Sequence, residues 1–282
     1  MTYGDLKLRL TQAFPGVSLD LIEGWIGDRY AEILGELPWS RLNVDAVLET
    51  TAPYTTGPVA VFRGSTAIAG TGTTWVTGMS GLQFRVAGRD EFYTFTWLTA
   101  TTGTLDRPYE GPSAAGSSYS IFQNVYALPA NCRTLQDTAF DKLQRFSIAQ
   151  LNQSDPCRVQ SGTPTAWASR MDDNSTPPNM EVELYPVPDQ AIGIPYTYVS
   201  EAADLSSTST ILQVWMQPAA LVEGVTGRIK AHLKDYTGAT FHATLAKAAL
   251  QNMRTSEAQG MAPAVMQLDS YYTRHRLRRG YR

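Results

Sequence analysis

Near the start of the chain, apolar residues recur at three- and four-residue steps. Leu6, Leu10 and Ala13 predict a first helix from Thr2 to about Phe14, ended by Pro15-Gly16. Ser18 caps a second helix. In it Leu19, Ile22, Trp25, Ile26, Ile33, Leu34 and Leu37 form a stripe opposite Glu23, Asp28, Glu32 and Glu36. Pro38 stops it and leaves Trp39 at the exit.

From about Val44 the period drops to two, and Thr and Gly become frequent. Strands are predicted at Val59 to Arg63, Thr66 to Ala69, Leu82 to Val86, Glu91 to Leu98, Thr102 to Leu105 and Tyr119 to Gln123. Glycine-bearing turns separate them. Short strands at this spacing predict a small barrel or sandwich, so Thr51 to Asn124 reads as an all-β insertion. A mixed region follows, with a strand expected at Arg133 to Phe140 and a short helix at Ser147 to Gln153. Further strands are expected at Thr165 to Arg170, Met180 to Tyr185 and Ile192 to Val199.

Pro218 suits the first turn of a helix in which Leu221, Val222, Val225, Ile229 and Leu233 make a stripe and which Gly238 ends. An alanine-rich helix runs from about Thr240 to Thr255. Both C-terminal helices need a partner for their apolar faces, and the N-terminal pair is the nearest unpaired amphipathic surface. The fold class expected is therefore α+β: a bundle from both chain ends around Ile22, Trp25, Ile26, Leu34, Leu221, Val225, Ile229 and Leu233, with a β-rich middle. The expected divisions are 1–50 (N-terminal helices), 51–124 (insertion), 125–216 (mixed body), 217–262 (C-terminal helices) and 263–282 (an extended basic arm).

The arm is the sharpest local signal. After Asp269 there is no acidic residue, and Arg274, Arg276, Arg278, Arg279 and Arg282 alternate with Tyr271, Tyr272, Leu277 and Tyr281. Five arginines in nine residues cannot enter the parent core unpaired. The segment reads either as a solvated terminus or as one that extends until something binds it.

Charged residues make up 17% of the chain, against roughly 25% for an ordinary soluble domain. No lysine occurs between Lys7 and Lys142. That composition suits a surface covered by neighbours, and equally a β-rich domain with threonine-rich strands. The net charge of −3 excludes general attraction to nucleic acid, so any such contact is local. No basic start leads into an apolar run, and no uncharged apolar stretch is long enough for a bilayer, so a chain that is cytoplasmic when made is expected.

Candidate chemistry is sparse. Cys132 and Cys157 fit no disulfide framework or metal spacing and read as ordinary thiols. His232 and His242 read as polar surface positions on the C-terminal helices, and His275 lies in the arm. Gly70-Thr71-Gly72 lacks the context of a dinucleotide fingerprint. The pairs Asp90-Glu91 and Asp172-Asp173 fall at turns, where aspartate commonly bonds its own backbone. Phe62, Trp75, Phe84, Phe92, Tyr93, Phe95, Trp97 and Tyr109 read as core, with both faces of the Glu91 to Leu98 strand covered, or as a sugar platform that exposes Trp75 or Trp97. Arg107, Arg145 and Arg158 read as interface anchors or routine surface residues. No enzyme, cofactor or metal is expected.

Several patterns coincide in order: Leu37-Pro38-Trp39-Ser40, Tyr126-Ala127-Leu128-Pro129-Ala130-Asn131-Cys132-Arg133, Gly162-Thr163-Pro164-Thr165-Ala166-Trp167, and Leu184-Tyr185-Pro186-Val187-Pro188-Asp189 followed by Ile194-Pro195-Tyr196-Thr197-Tyr198. Together they resemble the head-to-tail adaptor (connector) proteins of tailed bacteriophages. The resemblance covers about residues 1–50 and 125–262, and the insertion is similar to domains of longer members. It implies a non-enzymatic virion protein in the neck between capsid and tail. Such a protein forms a homo-oligomeric ring, usually of twelve copies, that docks on the portal protein, receives the next tail or nozzle component and leaves a channel for DNA. The stretch matching the portal-reaching arm is Val265 to Arg282, whose arginines would meet portal carboxylates, channel DNA or both. Two other readings stay open here: a tail-tube, baseplate or host-recognition protein with a sugar-binding β domain, and a cell-wall hydrolase.

Overall fold

The computed structural model describes residues 1–37, 39–172, 178–202, 205 and 216–259. Its helices are α1 (Tyr3–Ala13), α2 (Leu19–Gly35), α3 (Ile148–Ser154), α4 (Pro218–His232) and α5 (Tyr236–Ala258). Its strands are β1 (Asn43–Glu49), β2 (Val59–Val61), β3 (Ala67–Gly70), β4 (Gln83–Val86), β5 (Tyr93–Trp97), β6 (Thr102–Leu105), β7 (Ala114–Ser117) and β8 (Tyr119–Phe122). They continue as β9 (Val125–Ala127), β10 (Cys132–Thr134), β11 (Gln144–Arg145), β12 (Ser161–Gly162), β13 (Ala166–Asp172), β14 (Asn179–Tyr185), β15 (Val187–Pro188) and β16 (Gly193–Ser200). The class is α+β. Two compact units form: Met1–Asn43 with the described residues from Glu201 onward, and Val44–Ser200.

The first unit is helical and draws on both chain ends. α1 opens with a reciprocal cap: the Thr2 hydroxyl accepts from the Asp5 amide at 3.1 Å, and the Asp5 carboxylate accepts from the Thr2 amide at 2.9 Å. These bonds hold the Asp5 carboxyl below its ordinary range. α2 buries Ile22, Ile26, Tyr30 and Ile33, and the Trp39 indole donates to the Ile33 carbonyl at 2.9 Å. α4 packs against both α2 and α5 and is buried on most of its circumference, from Ala219 to Ile229. The close approach of α5 depends on Gly227, where an added Cβ would stand 3.3 Å from the Ala239 carbonyl oxygen and 3.4 Å from the Ala243 nitrogen.

Of the expected bundle core, Ile22, Ile26, Leu221, Val225 and Ile229 are fully buried, and Trp25 and Leu34 are half-buried. Leu233 is a correction: it is 50% exposed. α4 ends one residue earlier, and Lys234 takes a left-handed turn (φ 62), which removes Leu233 from the helical stripe. Gly238 does not end this helix; it lies in the first turn of α5, where the Asp235 carboxylate accepts its amide at 2.9 Å. Leu19 is exposed, because the first residue of α2 has no turn beneath it to pack on.

In the second unit, β2 to β8 form one antiparallel sheet in the order β7-β2-β3-β6-β5-β4-β8. β7 and β8 follow one another directly in the chain and pair with β2 and β4, so the sheet curls into a nearly closed barrel. Its core includes Val59, Val61, Ile68, Trp75, Phe84, Tyr93, Phe95 and Tyr119. Gly103 is required there, since a Cβ would lie 2.2 Å from the Phe95 ring. The expectation that both faces of β5 are covered holds only in part: Tyr93 and Phe95 are buried, but on the other face Thr94 is half-buried and Thr96 is exposed. β7 was missed because Ala-Ala-Gly-Ser carries no alternation to read.

The remainder of this unit combines a four-stranded sheet (β11-β13-β14-β9) with a three-stranded one (β1-β16-β10). Leu48, Tyr126, Phe140, Trp167, Val182, Leu184 and Tyr196 belong to its core. The strand expected at Arg133 to Phe140 stops at Thr134, because the chain turns where the Ala139 amide donates to the Gln136 carbonyl. Residues 173–177, between β13 and β14 in the sequence, lie outside the described residues.

Two predictions follow from this packing. Gly227→Val should push α5 off α4 and cost about 1–3 kcal/mol, read by urea unfolding; unchanged stability would show that the helices do not meet there. Burial raises the Tyr119 and Tyr196 phenols to about 12. The folded state then keeps protons that the unfolded chain releases, so stability is full below pH 10.0 and falls as pH rises toward about 12. Tyrosinate absorbance measured beside unfolding should show these two rings ionising only as the protein loses stability.

Candidate functional site

The helical unit carries a groove of about 500 Å³. Its floor is α4 at Gly224 and Gly227, with Arg29 and Glu32 of α2 on one side and Ala243 and Lys247 of α5 on the other. Gly224 is there because Arg29 lies across it: an added Cβ would stand 2.5 Å from Nε, which donates to the Ala220 carbonyl at 3.3 Å. Arg228 reaches from α4 to Asp28 at 3.1 Å and also to Glu32, while Arg29 pairs with Glu32 at 3.0 Å. The groove lining holds no nucleophile beside a base.

α4 and α5 also share a largely buried hydrogen-bonded pair. Glu223 and His242 Nδ1 are 2.5 Å apart, with side chains 4% and 15% exposed. His242 is thus not the polar surface position expected of it. A spacing of nineteen residues offers no sequence signal, although an acid set between Leu221, Val222 and Val225 marks Glu223 as unusual. His232 is exposed and rests on the Trp25 ring at 5.4 Å between centroids.

The second unit has its own buried network. Glu183, 1% exposed, accepts from Arg158 at 2.6 Å, Arg170 at 3.0 Å and Asn124 at 2.8 Å. Arg158 adopts a left-handed backbone (φ 52), held by this pairing and by a bond from Nη2 to Asn152 at 2.6 Å. The adjoining turn is tied by the Asp155 carboxylate, which accepts from the Val159 and Gln160 amides, and by Arg85, which donates to the Cys157 and Arg158 carbonyls. Arg158 is therefore an internal structural residue. Arg145 and Arg107 are exposed and pair with Asp137 and Asp106.

Trp75, Phe84, Tyr93, Phe95 and Tyr109 take the core reading rather than the platform reading, and Trp97 packs against them. Trp75 is buried and its indole donates to the Tyr119 hydroxyl at 2.8 Å, while Trp97 is half-buried with its indole bonded to the Trp75 carbonyl at 3.0 Å. Cys132 and Cys157 are free thiols, and burial pushes Cys132 up to about 11. Among the described residues no group of three or more His, Cys, Asp or Glu could hold a metal ion, and no helix is long and apolar enough to cross a membrane. Asp90 stands at the β4–β5 turn, and Asp173 lies outside the described residues. So do all the expected arm residues: Tyr271, Tyr272, Arg274, Arg276, Arg278, Arg279, Tyr281 and Arg282.

No protein-family model matches the chain, and no curated protein matches it at a significant level.

The Glu223 pair has a measurable consequence. His242→Leu should leave a buried carboxylate without its partner and cost about 3 kcal/mol, whereas adding Glu223→Leu should restore part of the loss. Denaturant unfolding of both variants checks this, and a single variant as stable as the parent would contradict the pairing.

Proposed function

We propose that this chain is a structural virion protein, a head-to-tail adaptor whose copies form a ring that docks on the portal and links capsid to tail while leaving a channel for DNA. The observation that carries the reading is the helical unit built from both ends of the sequence, with α4 enclosed by α2 and α5, while the residues between those ends form a separate β-rich unit. The ordered turn patterns at residues 37–40, 126–133, 162–167 and 184–198 support it. So does a surface poor in charge, above all in lysine.

In this reading the arginines from Arg274 to Arg282 grip portal carboxylates. The guanidinium fork suits bidentate contact with carboxylate, and repetition around a ring turns a weak contact into a strong one. The ring's other face receives the next tail or nozzle component, and contact with DNA is confined to the channel.

The test is light scattering of the full chain and of a chain lacking 269–282, each alone and mixed with portal rings. The full chain should add mass to the portal, and the truncated one should stay folded and add none. Undiminished binding by the truncated chain removes the arm from the account, and failure of the full chain to bind overturns the adaptor reading.

A further inference from the structure

β1 ends its sheet, and it is unlike the other strands that end one. Sheet edges are ordinarily short, or guarded by lysine, proline or a bulge, because their outer N–H and C=O groups pair with any extended chain that reaches them. Among the described residues β9 and β10 end their sheets with three residues and β11 with two, but β1 runs for seven and holds neither lysine nor proline. The Thr50 amide donates to the Ile192 carbonyl at 2.9 Å, on the side of β16. The backbone groups of Asp45, Val47 and Glu49 therefore point to the open side.

The side chains of those same three residues stand on one face of the strand. That face is exposed and acidic, with Val47 57% exposed between the carboxylates of Asp45 and Glu49. Asp45 accepts from the Thr197 hydroxyl of β16 at 2.7 Å. Neither carboxylate forms an ion pair among the described residues.

The matching pattern is carried by the chain's own arm. Arg274, Arg276 and Arg278 occupy alternate positions, so an extended arm puts all three on one face and His275 and Leu277 on the other. Laid beside β1 in either direction with Arg276 opposite Val47, it brings Arg274 and Arg278 opposite the two carboxylates. Leu277 then joins the face of Ala46 and Leu48, which is turned to the core.

The arm also starts close by. The Glu257 carboxylate in the last turn of α5 accepts from the Ser40 amide, Arg254 pairs with Glu36, and β1 begins three residues after Ser40. From there residues 260–273 can span up to about 46 Å. A seven-residue strand needs only roughly 23 Å.

We propose that β1 takes the arm of its own chain as an added strand, with Arg274 to Arg278 lying along Asp45 to Glu49. The docking stands without the adaptor reading; only its consequence, that a portal must draw the arm off its own sheet, rests on that reading.

The experiment is hydrogen exchange of the full-length chain, read by NMR at the amides of Asp45, Val47 and Glu49. At a bare sheet edge these amides meet solvent, and under the arm they are bonded. The comparison is a full-length variant carrying Arg274→Glu, Arg276→Glu and Arg278→Glu, whose changes all lie in the arm. A second variant adds Asp45→Arg and Glu49→Arg to it, so that the charges are exchanged; Glu49→Arg alone replaces that pair if it misfolds. The Ala46 and Leu48 amides, turned to β16, check that the sheet is intact.

The three outer amides should exchange at least about tenfold faster in the arm variant than in the parent, and exchanging the charges should restore protection. Equal exchange in parent and arm variant overturns the proposal: if fast, nothing covers the edge, and if slow, something other than the arm does. Protection that exchanged charges fail to restore overturns it too, and so does protection that rises with chain concentration, which assigns the arm to another copy. Portal capture by a chain whose outer β1 amides are unprotected sinks this inference and spares the adaptor reading; protected amides in a chain that captures no portal do the reverse.

Discussion

The burial of α4 constrains everything else. From Ala219 to Ile229 it exposes almost no side chain, and it carries a buried acid, Glu223. Such a helix is stable only when enclosed, and two layers enclose it: α5, which follows directly, and α2, which arrives from the other end of the chain. The polypeptide must therefore bring its first forty residues back to its last described helices. The β-rich middle is an excursion that this meeting of chain ends permits.

Polar groups fix which surfaces meet. Apolar stripes on α2, α4 and α5 would tolerate several rotations, since hydrophobic contact is not directional. The Glu223–His242 pair selects one register between α4 and α5, and Arg228 with Asp28 and Glu32 selects one between α4 and α2. The same logic holds in the second unit, where Glu183 gathers Arg158, Arg170 and Asn124. Rigid elements held in one register present faces of defined shape and charge.

Much of this was legible from periodicity. Ile22, Ile26 and Ile33 mark the inner face of α2, and Thr102 to Leu105 reads as the strand it is. The pattern failed where local chemistry overrode it. Leu233 continues the α4 stripe in sequence, but a left-handed Lys234 ends the helix before it. The core and platform readings of Trp75 both stood because nothing local shows that the hydroxyl of Tyr119, 44 residues away, accepts its indole N–H. His242 looked solvated because its partner lies on a different helix. Long-range pairing leaves no periodic trace, so buried polar partners were the part of the candidate site that sequence could not supply. The basic arm, conversely, is plain in sequence and lies outside the described residues.

The most direct test of the enclosure of α4 is native-state hydrogen exchange of the full-length chain across increasing denaturant. Amides of α2, α4 and α5 should exchange through one shared opening, with the same free energy and the same denaturant dependence. If α2 opens at low denaturant while α4 and α5 stay protected, the chain ends do not form a single unit, and the account fails at its foundation.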